Sequence, residues 1–193
     1  MSASLVGSEM CIRDRFLSIN VSAQFKATKD GLTTEDGKPY YVVSIEGKTA
    51  MDLYKGVNSY VLSHYKNPDA VANKMEGEMI NIHSFDSEAF LLSKVMGMKV
   101  YGEIDMNLVV YFKDNRIRFD IPVINKMQAD KTSGVGKDKT EYHFSGGIGK
   151  FMGSASLFND KGKVKDKKFV EELEAYINNT IKEISEAAKG YTE

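Results

Sequence analysis

The residue types that most often carry chemistry are sparse in this chain. Its only cysteine is Cys11, and its three histidines, His64, His83 and His143, are scattered without the paired spacing of a metal site. No Gly-x-Ser-x-Gly pattern presents a serine nucleophile, and the abundant carboxylates show no spacing that indicates a catalytic pair. We therefore predict no catalytic residue, no metal site and no cofactor.

One segment resembles the end of a phosphate-binding loop. Gly47-Lys48-Thr49 follows a predicted strand and opens a predicted helix. The loop motif also requires a glycine five residues before Gly47, and Val42 stands at that position. Nucleotide binding at this turn is therefore not predicted.

A binding surface has more support than an active site. Tyr101, Glu103, Tyr111 and Arg118 are predicted on the solvent side of a long hairpin, where aromatic rings beside charges are common in interfaces. Tyr111 is expected directly opposite Arg118. Tyrosines and charges also cover the wet side of many antiparallel sheets, so the pattern is compatible with an ordinary surface.

The placement of these four side chains on one face depends on one predicted hairpin. Apolar and polar residues alternate from Val100 to Phe112 and again from Ile117 to Val123, which predicts two strands with one buried face. Asp114-Asn115 fits a two-residue type I′ turn. That turn creates three apolar pairs: Phe112 with Ile117, Val110 with Phe119, and Leu108 with Ile121.

The elements before the hairpin are predicted from their periodicity. A strand over 40–46 precedes a helix with apolar residues at three- and four-residue spacing. Thr49 and Asp52 form a capping pair at its start, and Asn67-Pro68 ends it. A second strand is expected over 78–83.

The remaining segments are less regular, apart from the last one. The apolar stripe from Phe169 to Ala188, followed by Gly190, predicts a final helix, and a short strand is expected over 141–144. Residues 24–38 and 125–139 are predicted to be loops. The segment 85–97 is compatible with a short helix or a bent strand.

Charge and hydropathy narrow the classes of partner. The formal net charge is −1, which gives no attraction to polyanions, so nucleic acid is not an expected partner. No apolar run reaches the roughly twenty residues that a transmembrane helix needs. We therefore expect no transmembrane segment.

The N-terminal residues predict export. Residues 2–15 resemble a peptide translated from sequencing-adapter DNA, and residues 16–23 resemble the end of a signal peptide, with Val21 and Ala23 at the cleavage positions. The alternative is a native N-terminus that is disordered or forms a strand. We expect a periplasmic or secreted protein whose mature chain begins near Gln24 and forms a single α+β domain over 24–193.

A series of short motifs resembles a known family. The motifs are Lys29-Asp30-Gly31-Leu32, Tyr40-Tyr41-Val42-Val43, Glu46-Gly47-Lys48-Thr49-Ala50, Leu53-Tyr54, Tyr65-Lys66-Asn67-Pro68, Phe112-Lys113-Asp114-Asn115-Arg116-Ile117-Arg118 and Phe158-Asn159-Asp160-Lys161-Gly162. Together they resemble an exported domain of unknown function from gut Bacteroides-type bacteria. This resemblance implies a fold like that of the TATA-box-binding protein (TBP), with helices on one face of a curved antiparallel sheet. It implies no activity and no catalytic residues.

Two functions from different classes follow. The first is a non-catalytic, exported binding module whose sheet presents a surface to an unknown protein or small ligand. The second is a periplasmic enzyme or small-ligand carrier with its site in a cleft between helix and sheet. An open face would favour the first function, and a deep pocket with clustered acids and histidines would favour the second.

Overall fold

A computed structural model describes residues 25–95, 97–130, 139–147 and 153–192. The predicted adapter-derived run (2–15) and signal remnant (16–23) lie outside these residues. Within them the chain forms an eight-stranded sheet, a separate two-stranded hairpin and helices on one side of the sheet.

The elements follow one another in the order strand, helix, long strands, helix. The strands are β1 (Phe25–Thr28), β2 (Gly31–Thr34), β3 (Tyr40–Ser44), β4 (Ala72–Met75), β5 (Met79–Val95), β6 (Met98–Lys113), β7 (Arg116–Asp120), β8 (Val123–Asp130), β9 (Lys139–His143) and β10 (Ser154–Ser156). The helices are α1 (Ala50–His64), α2 (Pro68–Val71) and α3 (Lys167–Gly190). Strand β6 lies at the centre of the large sheet.

The large sheet is curled and almost entirely antiparallel. Its main path runs β10-β9-β8-β6-β5-β4, while β7 pairs with one end of β6 and β3 pairs with β7. Only β9 and β10 are parallel among the described pairs. Helices α1 and α3 pack on one face, which confirms the predicted α+β architecture.

The predicted apolar face of β6 is confirmed. The residues from Val100 to Phe112 at every second position are all buried. Those from Ile104 to Phe112 form the core together with Leu53 and Val57 of α1 and Leu173 and Ile177 of α3. One face of β6 therefore belongs to the core, and the other face is free of helices.

The predicted register of the β6–β7 hairpin is confirmed where the two strands pair. Phe112 lies opposite Ile117, and Val110 lies opposite Phe119. Leu108 does not pair with Ile121, because β7 ends at Asp120 and β6 then pairs with β8. Pro122 explains this change of partner, since proline has no N–H to continue a ladder.

The predicted type I′ turn is wrong. That turn needs positive φ angles at both central residues, and of the two only Asn115 has one, at 63°. The side chains of this turn bind the start of α1 instead. The Asp114 carboxylate accepts a hydrogen bond from the Ala50 N–H at 2.9 Å, and the Asn115 side chain accepts one from the Gly47 N–H at 2.7 Å.

The two long helices that the sequence predicts are both present. α1 ends at His64, before the predicted end at Asn67-Pro68, and Gly190 is the last residue of α3 rather than a residue beyond its end. Thr49 and Asp52 form a reciprocal capping box at the start of α1. Gly56 of α1 lies so close to α3 that a Cβ there would be 2.7 Å from the Ala188 Cα.

No described helix combines the length and the apolar character needed to cross a membrane.

The prediction of a loop over 24–38 is wrong for its described part. β1 and β2 form a hairpin, and β1 is also bound by side chains of α3. The Asn178 amide accepts from the Phe25 N–H and donates to the Phe25 carbonyl, both at 3.0 Å. These partners are more than 140 residues away in sequence, so the local pattern of polar residues does not reveal the strand.

Two other irregular segments are also strands. The predicted loop over 125–139 is wrong at both described ends, since β8 reaches Asp130 and β9 begins at Lys139, while residues 131–138 lie outside the described part. The undecided segment 85–97 belongs to β5 as far as Val95. Its pairing with β6 shifts between Asp86 and Phe90, so it is a bent strand with bulges.

Candidate functional site

The four residues predicted as a binding surface lie on one strand pair but form two separate groups. Tyr101 and Glu103 are near one end of β6, while Tyr111 is near its other end, opposite Arg118. Glu103 and Tyr111 are eight positions apart along the strand, which corresponds to roughly 26 Å. The four side chains therefore cannot contact one small ligand together.

Glu103 is not the exposed acid that the alternation predicts. Its side chain is only 7% exposed and accepts hydrogen bonds from Gln128 on β8 and Lys139 on β9. The neighbouring strands cover this position because β8 and β9 extend the sheet on that side of β6. Glu103 thus links three strands, and Tyr101 beside it is half-buried.

Tyr111 and Arg118 form a compact stack with a third residue that the sequence analysis did not include. The Arg118 guanidinium carbon lies 4.2 Å from the centre of the Tyr111 ring and 5.4 Å from that of the Tyr40 ring. Its Nε also lies 3.1 Å from a carboxylate oxygen of Asp120, as an ion pair without hydrogen-bond geometry. The two rings and the carboxylate hold the guanidinium in place.

This stack belongs to a continuous row of side chains across five strands. The register places Met75 of β4 opposite Met79 of β5, Met79 opposite Tyr111, Tyr111 opposite Arg118, and Arg118 opposite Val42 of β3. Met75 is 53% exposed and Val42 is 39% exposed. An apolar and aromatic strip therefore crosses the helix-free face, with one arginine in it.

A groove of about 460 Å³ lies at this end of the sheet. We call it the outer groove; it is lined by Tyr40, Val42, Tyr111, Arg118, Lys113 and Arg116, with Glu78 at its side. Within the described part of the chain, neither Lys113 nor Arg116 has a carboxylate at ion-pair distance. The groove consequently combines aromatic faces with an excess of positive charge.

A second cavity, of about 350 Å³, lies on the helix side of the sheet between α1, α3 and β5. We call it the inner cleft. Its most distinctive lining residues are three tyrosines and three acids: Tyr60, Tyr65, Tyr176, Asp86, Glu172 and Glu183. The second function considered from the sequence, with a site between helix and sheet, requires a cavity in this position.

Two tyrosines of the inner cleft donate hydrogen bonds to its acids. The Tyr176 hydroxyl donates to Asp86 at 3.2 Å, and the Tyr60 hydroxyl donates to Glu183 at 3.3 Å. Burial raises the pKa of Tyr60, Tyr65 and Tyr176, and the nearby carboxylates raise it further. These hydroxyls therefore remain protonated donors at neutral pH.

The sequence contains a signal for the inner cleft that helical periodicity does not reveal: two polar residues on the apolar face of a strand. Ser84 and Asp86 lie opposite Met106 and Ile104, so they occupy positions on the apolar face of the sheet. Polar residues at such positions need hydrogen-bonding partners. Tyr65 and Tyr176, placed in the apolar stripes of their helices by spacing alone, supply hydroxyl groups there.

The histidines remain apart, as their spacing indicates. His64 stacks on Tyr60 with 4.8 Å between ring centres, His83 lies 2.9 Å from Asp105, and His143 lies 4.0 Å from Glu141. Across the described ranges, no group of three or more His, Cys, Asp or Glu side chains is arranged to hold a metal ion.

The fold places the chain among α+β proteins in which helices cover one face of a curled sheet. No protein-family model and no curated protein matches the chain. A crystal structure of a TBP-like protein from Parabacteroides distasonis is similar to it, with a TM-score of 0.56 and 15% sequence identity over 79% of this chain and 92% of that chain. The fold is thus TBP-like, as the motif resemblance implied.

A second solved structure gives a weaker match. It is a DUF4468 family protein from Bacteroides ovatus, with a TM-score of 0.46 and 10% identity over 79% of this chain and 85% of that chain.

Proposed function

We propose that this chain is an exported, non-catalytic binding module that holds a protein partner in its outer groove. The observation that carries the proposal is the Tyr111–Arg118–Tyr40 stack, which lines a groove on the face of the sheet that the helices leave open. Tyrosine and arginine are among the residues that contribute most binding free energy at interfaces.

The stack lowers the entropic cost of binding. Arg118 is already fixed between two rings and Asp120, so its long side chain has little freedom left to lose when a partner arrives. Both Tyr111 and Arg118 project from paired central strands rather than from loops. A rigid aromatic and charged surface of this kind suits an interface anchor.

The charges of the outer groove indicate the chemistry of the partner. Lys113, Arg116 and Arg118 outnumber Glu78, while Val42 supplies exposed apolar surface at the same place. A polypeptide segment with carboxylates next to apolar side chains complements this combination. The net charge of −1 disfavours a nucleic acid, because the whole molecule does not attract a polyanion.

Export is part of the same proposal. The apolar stretch over 16–23 with small residues at Val21 and Ala23 supports a signal peptide, and a mature domain over 24–193 would then meet its partner outside the cytoplasm. The partner is therefore sought among periplasmic or surface proteins.

Site-specific crosslinking tests the proposed location of the interface. We suggest placing the photoreactive residue p-benzoylphenylalanine at Val42, in the outer groove, and at Leu62 of α1 as a control that is 55% exposed on the helix side. After irradiation in a native periplasmic extract, the proposal predicts one dominant protein adduct with the Val42 variant and none with the Leu62 variant. An adduct only at Leu62, or a nuclease-sensitive adduct at Val42, would contradict it.

A further inference from the structure

Acidic residues line the inner cleft, whereas basic residues outnumber acids in the outer groove. Asp86, Glu172 and Glu183 line it, and no lysine or arginine of the described ranges does so. Lys168 offsets part of this charge through its pairing with Glu172 on the surface of α3. The lining of the cleft therefore carries an excess of negative charge, whereas the protein as a whole is nearly neutral.

The acids of the cleft are held in fixed positions. One carboxylate oxygen of Asp86 accepts from the Glu88 N–H at 2.9 Å, and the other accepts from the Tyr176 hydroxyl at 3.2 Å. Glu183 is bound by Tyr60 in the same way. Each carboxylate oxygen has two lone pairs, so these bonds leave acceptor capacity for a ligand.

Aromatic rings form most of the remaining wall. Tyr60, Tyr65, Tyr176 and Phe90 line the cleft, and His64 stacks on Tyr60 at its edge. Aromatic faces attract cations, and aromatic cages with nearby acids are a common way to bind ammonium groups. A volume of about 350 Å³ is at the small end of the range for small-molecule sites.

We propose that the inner cleft binds a small organic ammonium ion, held by the tyrosine rings and by Asp86 and Glu183. A neutral sugar could stack on the tyrosines and donate hydroxyl hydrogen bonds to the carboxylates, but it would not neutralise their charge, whereas an ammonium ion does. A phosphate or another anion would be repelled by the same groups. This site lies on the opposite side of the sheet from the outer groove, so the inference does not depend on the proposed protein partner.

NMR titration tests the charge requirement directly. The probes are tetramethylammonium and n-butylammonium chloride, with tert-butanol as the neutral analogue of similar size and sodium chloride as the ionic-strength control. The inference predicts saturable shifts at the amides of Tyr60, Asp86 and Tyr176 with both ammonium ions. Neither tert-butanol nor sodium chloride should produce saturable shifts at these amides.

Matched variants separate the contribution of charge from that of the rings. Asp86→Asn should raise the Kd for tetramethylammonium about tenfold, whereas Glu78→Gln, an acid of the outer groove, should leave it unchanged. Tyr176→Leu should weaken binding by a similar factor, and Tyr176→Phe, which keeps the ring, should retain most of it. If Asp86→Asn does not fold, Glu183→Gln on the exposed side of α3 replaces it.

Three results would overturn the inference. They are equal binding of tert-butanol and tetramethylammonium, an absence of saturable shifts with either ammonium ion, and the same loss of affinity in Glu78→Gln as in Asp86→Asn. Amide spectra of each variant confirm that it is folded, so a loss of binding is not confused with unfolding.

Discussion

The guanidinium carbon of Arg118 lies 4.2 Å from the centre of the Tyr111 ring, directly across the β6–β7 pair. The neighbouring pair, Val110 and Phe119, faces the core and is fully buried. Because side chains alternate along a strand, the buried pair fixes the register that places the stack on the open face. The outer groove thus depends on the core of the hairpin.

Truncating this buried pair should destabilise the protein. Phe119→Ala is expected to lower the free energy of unfolding by about 3–5 kcal/mol and Val110→Ala by about 2 kcal/mol, because each leaves a cavity in a core that cannot collapse fully. Urea denaturation measures both values. Val123→Ala, at a position 61% exposed on the same sheet, is the control and should be within about 0.5 kcal/mol of wild type.

The Asn178 amide provides the second prediction. Asn178→Ala removes both hydrogen bonds to the Phe25 backbone and should cost about 1–3 kcal/mol, since a buried N–H and a buried carbonyl lose their partner. Relative to wild type, hydrogen exchange in the variant should become faster in β1 but change little in β6. Unchanged protection of the Phe25 amide would mean that another group binds the edge of β1.

The raised pKa values of the tyrosines in the inner cleft predict that the protein loses stability at alkaline pH. Burial raises the pKa of Tyr60, Tyr65 and Tyr176 in the folded state, so above about pH 10 the unfolded chain releases protons that the folded chain retains. The free energy of unfolding should therefore fall as the pH rises through this range. Tyr176→Phe should make the fall shallower, and an unchanged slope would contradict the assigned burial.

The proposed start of the mature domain leads to a deletion experiment. Removing residues 1–23 should change the free energy of unfolding by less than about 2 kcal/mol, because Phe25 is the first residue packed in the described core. Thermal and urea unfolding of the shortened chain measure this. A larger loss would show that the removed segment contributes to the fold.

The sequence predicts the elements whose periodicity is strong. The alternation along β6 and the capping pair at Thr49 and Asp52 give the central strand and the first helix. The stack also follows from the register, since Tyr111 and Arg118 are cross-strand neighbours. In these cases the local pattern and the tertiary structure agree.

Other features depend on contacts that no local pattern contains. β1 is bound by Asn178, a residue at the opposite end of the chain, and Glu103 is buried because β8 and β9 extend the sheet beside it. The periodicity of the helices does not indicate the inner cleft, because tyrosines match an apolar stripe as well as leucines do. Asp86, on the apolar face of a bulged strand, was its visible signal.

The proposed interface depends on Tyr111 and Arg118 as the anchors of a protein partner. The most direct measurement is the Kd of the partner identified by crosslinking at Val42, for wild type and for the double variant Tyr111→Ala/Arg118→Ala, with Tyr101→Ala at the far end of β6 as the control. Circular dichroism confirms that each variant is folded. We expect the affinity to fall at least about thirtyfold in the double variant and to change little in the control. An unchanged Kd in a folded double variant would show that Tyr111 and Arg118 do not anchor the partner.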